Sequence, residues 1–175
     1  MTTLTELLNR NARFAETDHQ PLPMAPAANT VVVISCLDSR TDPAHFLGLQ
    51  PGEVLVLRNA GGRITPDVEV EIGLLAAMTK QMAGPEATLE VVLIHHTDCG
   101  MQRLANPQVR TRIGAVAGIP TEALDRLAIH DHTASLTDDL ARLRRSEVVP
   151  PGIAITGLRY DQQNGKLDTV FAEKT

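Results

Sequence analysis

Short runs of apolar residues, separated by helical patterns and turn residues, constrain the fold of this chain more than any other feature. Four runs are almost uniformly apolar and rich in β-branched residues, as expected for strands buried on both faces of a parallel sheet. They cover Val31–Ile34, Val54–Leu57, Leu89–Ile94 and Ile153–Leu158. A fifth run, Leu167–Phe171, follows an Asn164–Gly165 pair that is typical of a hairpin turn. The runs therefore predict a mostly parallel sheet that ends in an antiparallel edge strand.

The segment between the second and third runs carries the signals of a crossover helix. Thr65 is a candidate N-cap, Pro66 suits the first helical position, and Gly84 lies beyond the end. Leucines at 136, 140 and 143 indicate a surface helix capped by Ser135. Because strands alternate with helices, the predicted fold is α/β: a mostly parallel central sheet of four to five strands with an antiparallel edge strand, flanked by helices.

The N-terminal residues predict a helical arm. Leu4, Leu7 and Leu8 recur at helical spacing, and a proline-rich segment over residues 20–29 is typical of a linker. A length of 175 residues favours one domain. We therefore interpret residues 1–175 as a single domain, with the N-terminal helical arm and linker over residues 1–29 and the α/β core over residues 30–175.

Composition argues against several classes of partner. A formal net charge of −5 gives no attraction to phosphate backbones, and one tyrosine with no tryptophan leaves little surface on which bases stack. We therefore expect no nucleic-acid partner. No window approaches the ~18 consecutive apolar residues of a membrane span, and residues 1–18 lack the basic start and apolar block of a signal peptide. We expect no membrane contact and a cytoplasmic location.

The two cysteines of the chain both lie near ends of predicted strands. Cys36 follows the first run, and His96 and Cys99, separated by two residues, follow the third. The carboxyl ends of parallel strands are where open α/β sheets place their sites. A Cys/His/Cys set without an obvious fourth ligand is typical of a zinc site that keeps one position open for water. The alternative is that both cysteines only pack in the core.

Asp38 and Arg40 follow Cys36 at alternate positions. An aspartate there would accept a hydrogen bond from a zinc-bound hydroxide, and the arginine would keep that aspartate ionised and oriented. The alternative is an ordinary surface ion pair, which contributes little stability. Their place beside a candidate metal ligand favours the functional interpretation.

Three ordered motifs resemble the β-class carbonic anhydrases, especially the short prokaryotic forms. The motifs are "CLDSR", "GLQPGEVLVLRNAGGRIT" and "HTDCGM", and "GLRYDQQNGKL" is similar to the last strand and hairpin of that family. The resemblance implies one Zn²⁺ per chain held by Cys36, His96 and Cys99, with Asp38 and Arg40 as the orienting pair. It also implies reversible hydration of carbon dioxide to bicarbonate and a proton by a zinc-bound hydroxide. A homodimer or dimer of dimers, in which the N-terminal helix embraces the neighbour, is implied as well.

The "RNAGGR" segment supplies the candidate substrate-binding residues Asn59, Gly61 and Gly62. Glycines there would let the backbone approach a substrate closely, although a plain strand-to-helix turn would use them equally well. The product proton has four candidate relays, each of which also suits a histidine without a catalytic role. They are His45, His95, His130 and His132. His95 is expected on the opposite strand face from His96.

Some features depart from the family or stay open. Val70 stands on the crossover helix where relatives often have an arginine, which leaves the contacts of that helix open. The sequence also leaves open whether Asp38 or water takes the fourth zinc position.

Three other functions compete with carbon dioxide hydration. Proteins that resemble the short β-carbonic anhydrases hydrolyse carbonyl sulfide or carbon disulfide with the same ligands and the same aspartate–arginine pair. A zinc-binding module without catalysis is a second alternative, although every motif residue that the chemistry needs is present. A thiol redox protein is a third, but the Cys-x-x-Cys spacing is lacking.

Overall fold

The computed structural model describes residues 2–22 and 28–173. Residues 23–27, half of the expected linker over residues 20–29, lie outside them. Six helices and five strands follow one another within the described ranges. They are α1 (Leu4–Thr17), β1 (Asn29–Cys36), α2 (Pro43–Phe46), β2 (Leu55–Asn59), α3 (Pro66–Ala83), β3 (Thr88–His96), α4 (Pro107–Ala117), α5 (Thr121–Leu127), α6 (His132–Arg145), β4 (Ala154–Tyr160) and β5 (Leu167–Glu173).

The five strands form one sheet in the order β2–β1–β3–β4–β5. The pairs β1–β2, β1–β3 and β3–β4 are parallel, and β4–β5 is antiparallel. The chain returns from β2 across β1 to β3, so the strand order reverses at β1, and ligands bind at such switch points in open sheets. The predicted α/β fold, with its antiparallel edge strand and flanking helices, is confirmed.

Helices α3 and α6 cover one face of the sheet. The main core contains Val32 and Ile34 of β1, and Ile72 of α3 and Leu136 of α6 pack against them. The helix that was predicted to lie at the surface thus also buries its leucine side. On the other sheet face a smaller cluster contains Val33, Ile94 and Tyr160, and the ring of Phe46 stacks on Tyr160 with centroids 4.3 Å apart.

Local signals located most element boundaries correctly. The Thr65 hydroxyl accepts a hydrogen bond from the Val68 amide at the start of α3, with Pro66 in the first turn, and Gly84 ends the helix with a φ of +101°. The predicted hairpin is also present, because β4 and β5 are joined by a short loop in which Gly165 has a φ of +72°. Positive φ is costly for residues with a Cβ, which explains glycine at both places.

The predicted cap of α6 was wrong. The helix begins at His132, and the Asp131 carboxylate accepts the capping hydrogen bond from the Ala134 amide at 2.8 Å. Ser135 lies inside the first turn and is buried. The leucine pattern starts one turn after the helix does, so the nearest serine was mistaken for the cap.

Other boundaries also differ from the prediction. The first and third strands run further than their apolar runs, so Cys36 and His96 are the last residues of β1 and β3. Helices α4 and α5 were not predicted, although Asn106 before Pro107 and the left-handed Gly118 mark the ends of α4.

Helix α1 is well formed but buries none of its side chains. Thr3 and Glu6 form a capping box, and Leu4, Leu7 and Leu8 are each more than half exposed. The helix of the expected arm is therefore present, with its apolar stripe uncovered by its own chain. No helix among the described residues has the length and apolarity to cross a membrane. The cytoplasmic location and the division into arm and core stay predictions.

The α6 cap can be tested by exchanging its acceptor. Asp131→Ala removes the side-chain oxygen that satisfies the Ala134 amide, and loss of an N-cap costs about 1 kcal/mol of unfolding free energy. Asp131→Ser keeps an acceptor and should retain most of the stability. Urea unfolding of both variants measures the difference, and equal losses would mean that the Asp131 side chain does not cap the helix.

Candidate metal centre

The adjacent carboxyl ends of β1 and β3 bring the three candidate ligands together. Cys36 ends β1 and His96 ends β3, and Cys99, three residues after that strand, directly precedes a 3₁₀ turn. Their ligating atoms all lie within 4.8 Å of one another, and all three residues are buried. The strand register explains why the three residues lie close together, because β1 and β3 pair in parallel from Asn29 opposite Thr88 to Ser35 opposite Ile94.

The ring of His96 is oriented by a hydrogen bond that leaves its Nε2 available to bind a cation. Its Nδ1 lies 2.9 Å from the Thr97 carbonyl oxygen, and because a carbonyl only accepts, Nδ1 carries the proton. Its Nε2 is left with a free lone pair and is buried without a hydrogen-bond partner in the described part of the chain. Metal-bound histidines typically donate their second ring nitrogen in this way. The orphaned Nε2 therefore fits a metal ligand.

The two sulfur atoms lie 3.8 Å apart. A hydrogen bond from the Cys99 thiol lowers the pKa of Cys36, and the same bond and burial raise the pKa of Cys99. The backbone amide of Asp38 supports the Cys36 sulfur from 3.4 Å. The site thus favours a thiolate at Cys36 even before a cation is considered, and thiolate is the form that binds metals.

Asp38 and Arg40 form a tight pair beside the thiols. The Arg40 amide and Nε each donate to Asp38 Oδ1 at 3.0 Å, and Nη2 donates to Oδ2 at 2.6 Å. These bonds hold the pKa of the Asp38 carboxyl well below its usual range. The carboxylate is therefore ionised, and it stands outside the group of three ligating atoms.

Two residues that sequence reasoning missed complete this arrangement. Asp98 accepts from Arg40 Nη1 at 2.7 Å, and its carbonyl accepts from Nη2 at 3.0 Å. Its φ of +56° is the one positive value for a non-glycine residue within the described ranges. Arg58 donates to the carbonyls of Cys36 and Asp38 at 3.0 and 2.7 Å. Their motif positions gave a signal for both, since Asp98 lies between His96 and Cys99, and Arg58 begins "RNAGGR".

The candidate substrate residues lie in the turn that follows β2, which we call the glycine turn (residues 60–62). Asn59 accepts from the Arg63 amide at 2.9 Å and donates to its carbonyl at 2.7 Å, so its amide group braces the turn. Gly61 and Gly62 have φ values of +83° and +67°. A Cβ on Gly62 would lie 2.9 Å from the backbone of Ser35 and 3.1 Å from the Cys36 nitrogen. The turn thus needs glycine to pack against the metal centre, whether or not substrate also touches it.

The four candidate relay histidines lie in different surroundings. His45 and His130 are exposed, and His130 lies 3.6 Å from Asp125. His95 is fully buried, with its Nε2 3.4 Å from the Asp139 carboxylate, and the His132 ring lies beside it at a centroid distance of 6.2 Å. His95 therefore packs with α6 rather than with the ligand group, as expected for the strand face opposite His96.

Apolar side chains close the inner side of the centre. Ile129, which lies in the loop between α5 and α6, packs with Cys36 and Cys99, and Met101 borders the same cluster. Two thiols and an imidazole lie here beside an ionised carboxylate, at the switch point of an open sheet. This group could hold one metal ion, and its donor set is of the type that zinc enzymes use for hydration and hydrolysis.

Comparison with known proteins assigns the family. The model of the family described as carbonic anhydrase matches residues 31–149. Beta-carbonic anhydrase 1 of Mycobacterium bovis and of Mycobacterium tuberculosis are each 31% identical over 171 residues, which cover 97% of this chain and 99% of the relative. The crystal structure of carbonic anhydrase from Streptococcus mutans superposes with a TM-score of 0.76 at 32% identity, covering 98% of this chain and 99% of that one. The chain belongs to the β-class carbonic anhydrase family, which confirms the resemblance inferred from its motifs.

The relatives also include a protein named for a different activity. The carbon disulfide hydrolase of Acidianus is 28% identical over 158 residues, which cover 77% of this chain and 74% of the relative. The protein is thus an enzyme of the carbonic anhydrase family with carbon disulfide hydrolases among its relatives.

His132 should make the fold sensitive to acid. Burial, and then the nearby His95 and Arg159, lower its pKa from 6.5 to about 4. Between these values the unfolded chain binds more protons than the folded one, so the unfolding free energy falls as the pH drops from about 6.5 towards 4. Above that range this group contributes no pH dependence.

Urea unfolding of His132→Gln at about pH 7.5 and pH 5 tests this expectation. The variant should lose less stability on acidification than the wild type does, and His45→Gln, at an exposed histidine, should behave as wild type. An unchanged acid loss in His132→Gln would contradict the assignment.

Proposed function

We propose that the chain catalyses the zinc-dependent, reversible hydration of carbon dioxide to bicarbonate and a proton. The observation that carries the proposal is the orphaned Nε2 of His96 beside two converging sulfurs, with the ionised Asp38 at their border. Cys36, His96 and Cys99 would hold one Zn²⁺ per chain. When bound, zinc supplies a Lewis acid that lowers the pKa of water towards neutrality and so makes a nucleophile available.

Asp38 has the role of orienting that nucleophile. An ionised carboxylate only accepts hydrogen bonds, so an O–H group beside it must direct its hydrogen to Asp38 and its lone pair elsewhere. Arg40 fixes the carboxylate through three hydrogen bonds, and Asp98 fixes Arg40 in turn. Arg58 holds the backbone of the same loop. Orientation therefore comes from a connected set of side chains rather than from Asp38 alone.

Carbon dioxide is small, uncharged and apolar, so its site requires dry walls and few polar contacts. The proposed substrate-binding residues Asn59, Gly61 and Gly62 suit this need, since the glycines present backbone without side chains and Asn59 spends its amide on Arg63. Met101 packs against the position that a Cβ on Gly61 would take, 3.1 Å away. The turn thereby forms a rigid border of the centre.

Stopped-flow hydration of carbon dioxide combined with metal analysis tests the proposal. The wild type should carry close to one zinc per chain and accelerate hydration between pH 6 and 9. Asp38→Ala should keep its zinc and lose a factor of about 10² or more in kcat/KM, because an orienting interaction is lost. Asp168→Ala, which breaks a similar aspartate–arginine pair on the β4–β5 hairpin, is the matched control and should be fully active.

Cys99→Ser should lower zinc retention sharply, because a thiolate ligand is replaced by a hydroxyl. A zinc-loaded wild type that hydrates carbon dioxide no faster than buffer would refute carbon dioxide hydration and leave the sulfur-compound hydrolase and the non-catalytic zinc module.

Hydrolysis of carbonyl sulfide or carbon disulfide is the second candidate, because a carbon disulfide hydrolase is among the relatives. The same nucleophile and the same aspartate–arginine pair would serve these substrates. Parallel assays with carbon dioxide, carbonyl sulfide and carbon disulfide decide between these activities. Activity on the sulfur compounds without carbon dioxide hydration would assign the chain to the hydrolases.

We further propose a homodimer or a dimer of dimers in which α1 packs on the neighbouring subunit. The α1 stripe of Leu4, Leu7 and Leu8 is exposed in its own chain, and a lone helix of this length is marginal in water. A second exposed apolar stripe runs along α3 through Val70, Leu74 and Met78. An interface that covers this stripe would explain why residue 70 is apolar.

Charge placed in the α1 stripe should dissociate the assembly. Leu7→Glu/Leu8→Glu buries two carboxylates in the proposed interface and should shift the protein to monomers in light scattering after gel filtration. Asn9→Glu adds a carboxylate to the polar side of α1 and should leave the assembly intact. A double variant that remains dimeric, or a monomeric wild type, would refute the role of α1.

A further inference from the structure

A buried ion pair, Arg63 with Asp139, lies behind the metal centre and is not used by the proposed function. Arg63 Nε donates to Asp139 Oδ2 at 2.7 Å, and only 8% of Arg63 and 1% of Asp139 is exposed. Desolvating two charges is costly, and such a pair persists only where its remaining hydrogen bonds are also made. The partners of those remaining bonds indicate what the pair does.

The pair joins three separate segments of the chain. Arg63 follows the glycine turn directly, and Asp139 lies on α6. Asp139 Oδ1 accepts from the Ile64 amide at 3.2 Å, so the carboxylate holds both residues that follow the turn. Arg63 Nη1 donates to the Ala128 carbonyl at 2.6 Å, in the loop before α6. His95 borders the carboxylate at 3.4 Å.

Two of these segments touch the metal ligands. The glycine turn packs against the backbone of Cys36 so closely that a Cβ on Gly62 has no room. Ile129, next to Ala128, packs with Cys36 and Cys99. A shift of the turn or of the loop would therefore displace the backbone of Cys36 or open the thiolates to water.

We infer that Asp139 and Arg63 are positioning residues for the metal centre: they hold the glycine turn and the Ile129 loop against Cys36 and Cys99, and so set the metal affinity and the electronic character of the thiolate ligands. The inference rests on the proposed zinc site. Neither residue is itself a ligand. Outer partners of metal ligands typically change metal affinity or activity by about 10- to 100-fold when they are replaced.

Metal binding and the spectrum of the Co²⁺-substituted protein test this inference without relying on turnover. In Asp139→Asn the carboxamide keeps the shape but not the charge, and in Arg63→Lys the single ammonium cannot bridge Asp139 and the Ala128 carbonyl together. We expect at least about tenfold weaker zinc binding in chelator competition for both variants. We also expect a shift of the thiolate-to-Co²⁺ charge-transfer band, because the energy of the sulfur donor orbital depends on the packing and solvent around the thiolates.

The matched control is Leu143→Ala, which makes a cavity on the same helix at a residue of the main core, whereas Ile129 belongs to the separate cluster with Cys36 and Cys99. It should destabilise the fold by a few kcal/mol and leave the cobalt band unchanged. If Leu143→Ala shifts the band as Asp139→Asn does, the pair acts only through global stability and the inference is overturned.

A second variant keeps the test decisive if Asp139→Asn fails to fold. Arg63→Met/Asp139→Leu replaces the pair by apolar residues of similar volume, which restores packing but leaves the Ile64 amide and the Ala128 carbonyl without their partners. A shifted band supports the inference, and a wild-type band with wild-type affinity overturns it. A wild type that binds neither zinc nor cobalt would instead refute the proposed function, which separates the two failures.

Discussion

The parallel pairing of β1 with β3 is the interaction on which the site depends. These strands are neighbours at the point where the strand order reverses, and in-register pairing brings their carboxyl ends together. Cys36 and His96, distant in sequence, thereby become adjacent in the same buried corner. A parallel pair requires a crossover, and α3 supplies it while its apolar side fills the main core. The strand pairing and core packing that stabilise the sheet therefore also bring the candidate ligands together.

The electrostatics of the centre follow from this meeting. A thiolate-forming pair and a carboxylate concentrate negative charge at one sheet edge, which favours a cation there. Arg40 and Arg58 balance the charge from the outer side, through side-chain and backbone oxygens of the Cys36–Arg40 loop. Asp98, which pairs with Arg40, has a left-handed backbone conformation. Aspartate tolerates that conformation better than most residues do. This left-handed residue lies between His96 and Cys99 in the sequence.

Support for the centre comes from both of its sides. On the solvent side, the Arg40 guanidinium holds Asp38 by hydrogen bonds. On the core side, the Arg63–Asp139 pair holds the glycine turn and the Ile129 loop. The same helix, α6, both fills the core with its leucines and presents Asp139 to the turn. Packing and positioning are thus functions of one element, which is why a cavity on this helix is the appropriate comparison for a change in its charge.

The sequence by itself determined the sheet, the crossover helix, the terminal hairpin and the ligand candidates, because strand burial, caps and motif spacing are local properties written in neighbouring residues. The tertiary structure alone decided the partners of Asp98 and Arg58 and the meeting of Arg63 with Asp139. Arg63 and Asp139 are 76 positions apart, and no local pattern reveals such a pair. Its existence depends on how α6 packs on the sheet, and packing is a property of the whole chain rather than of any short segment.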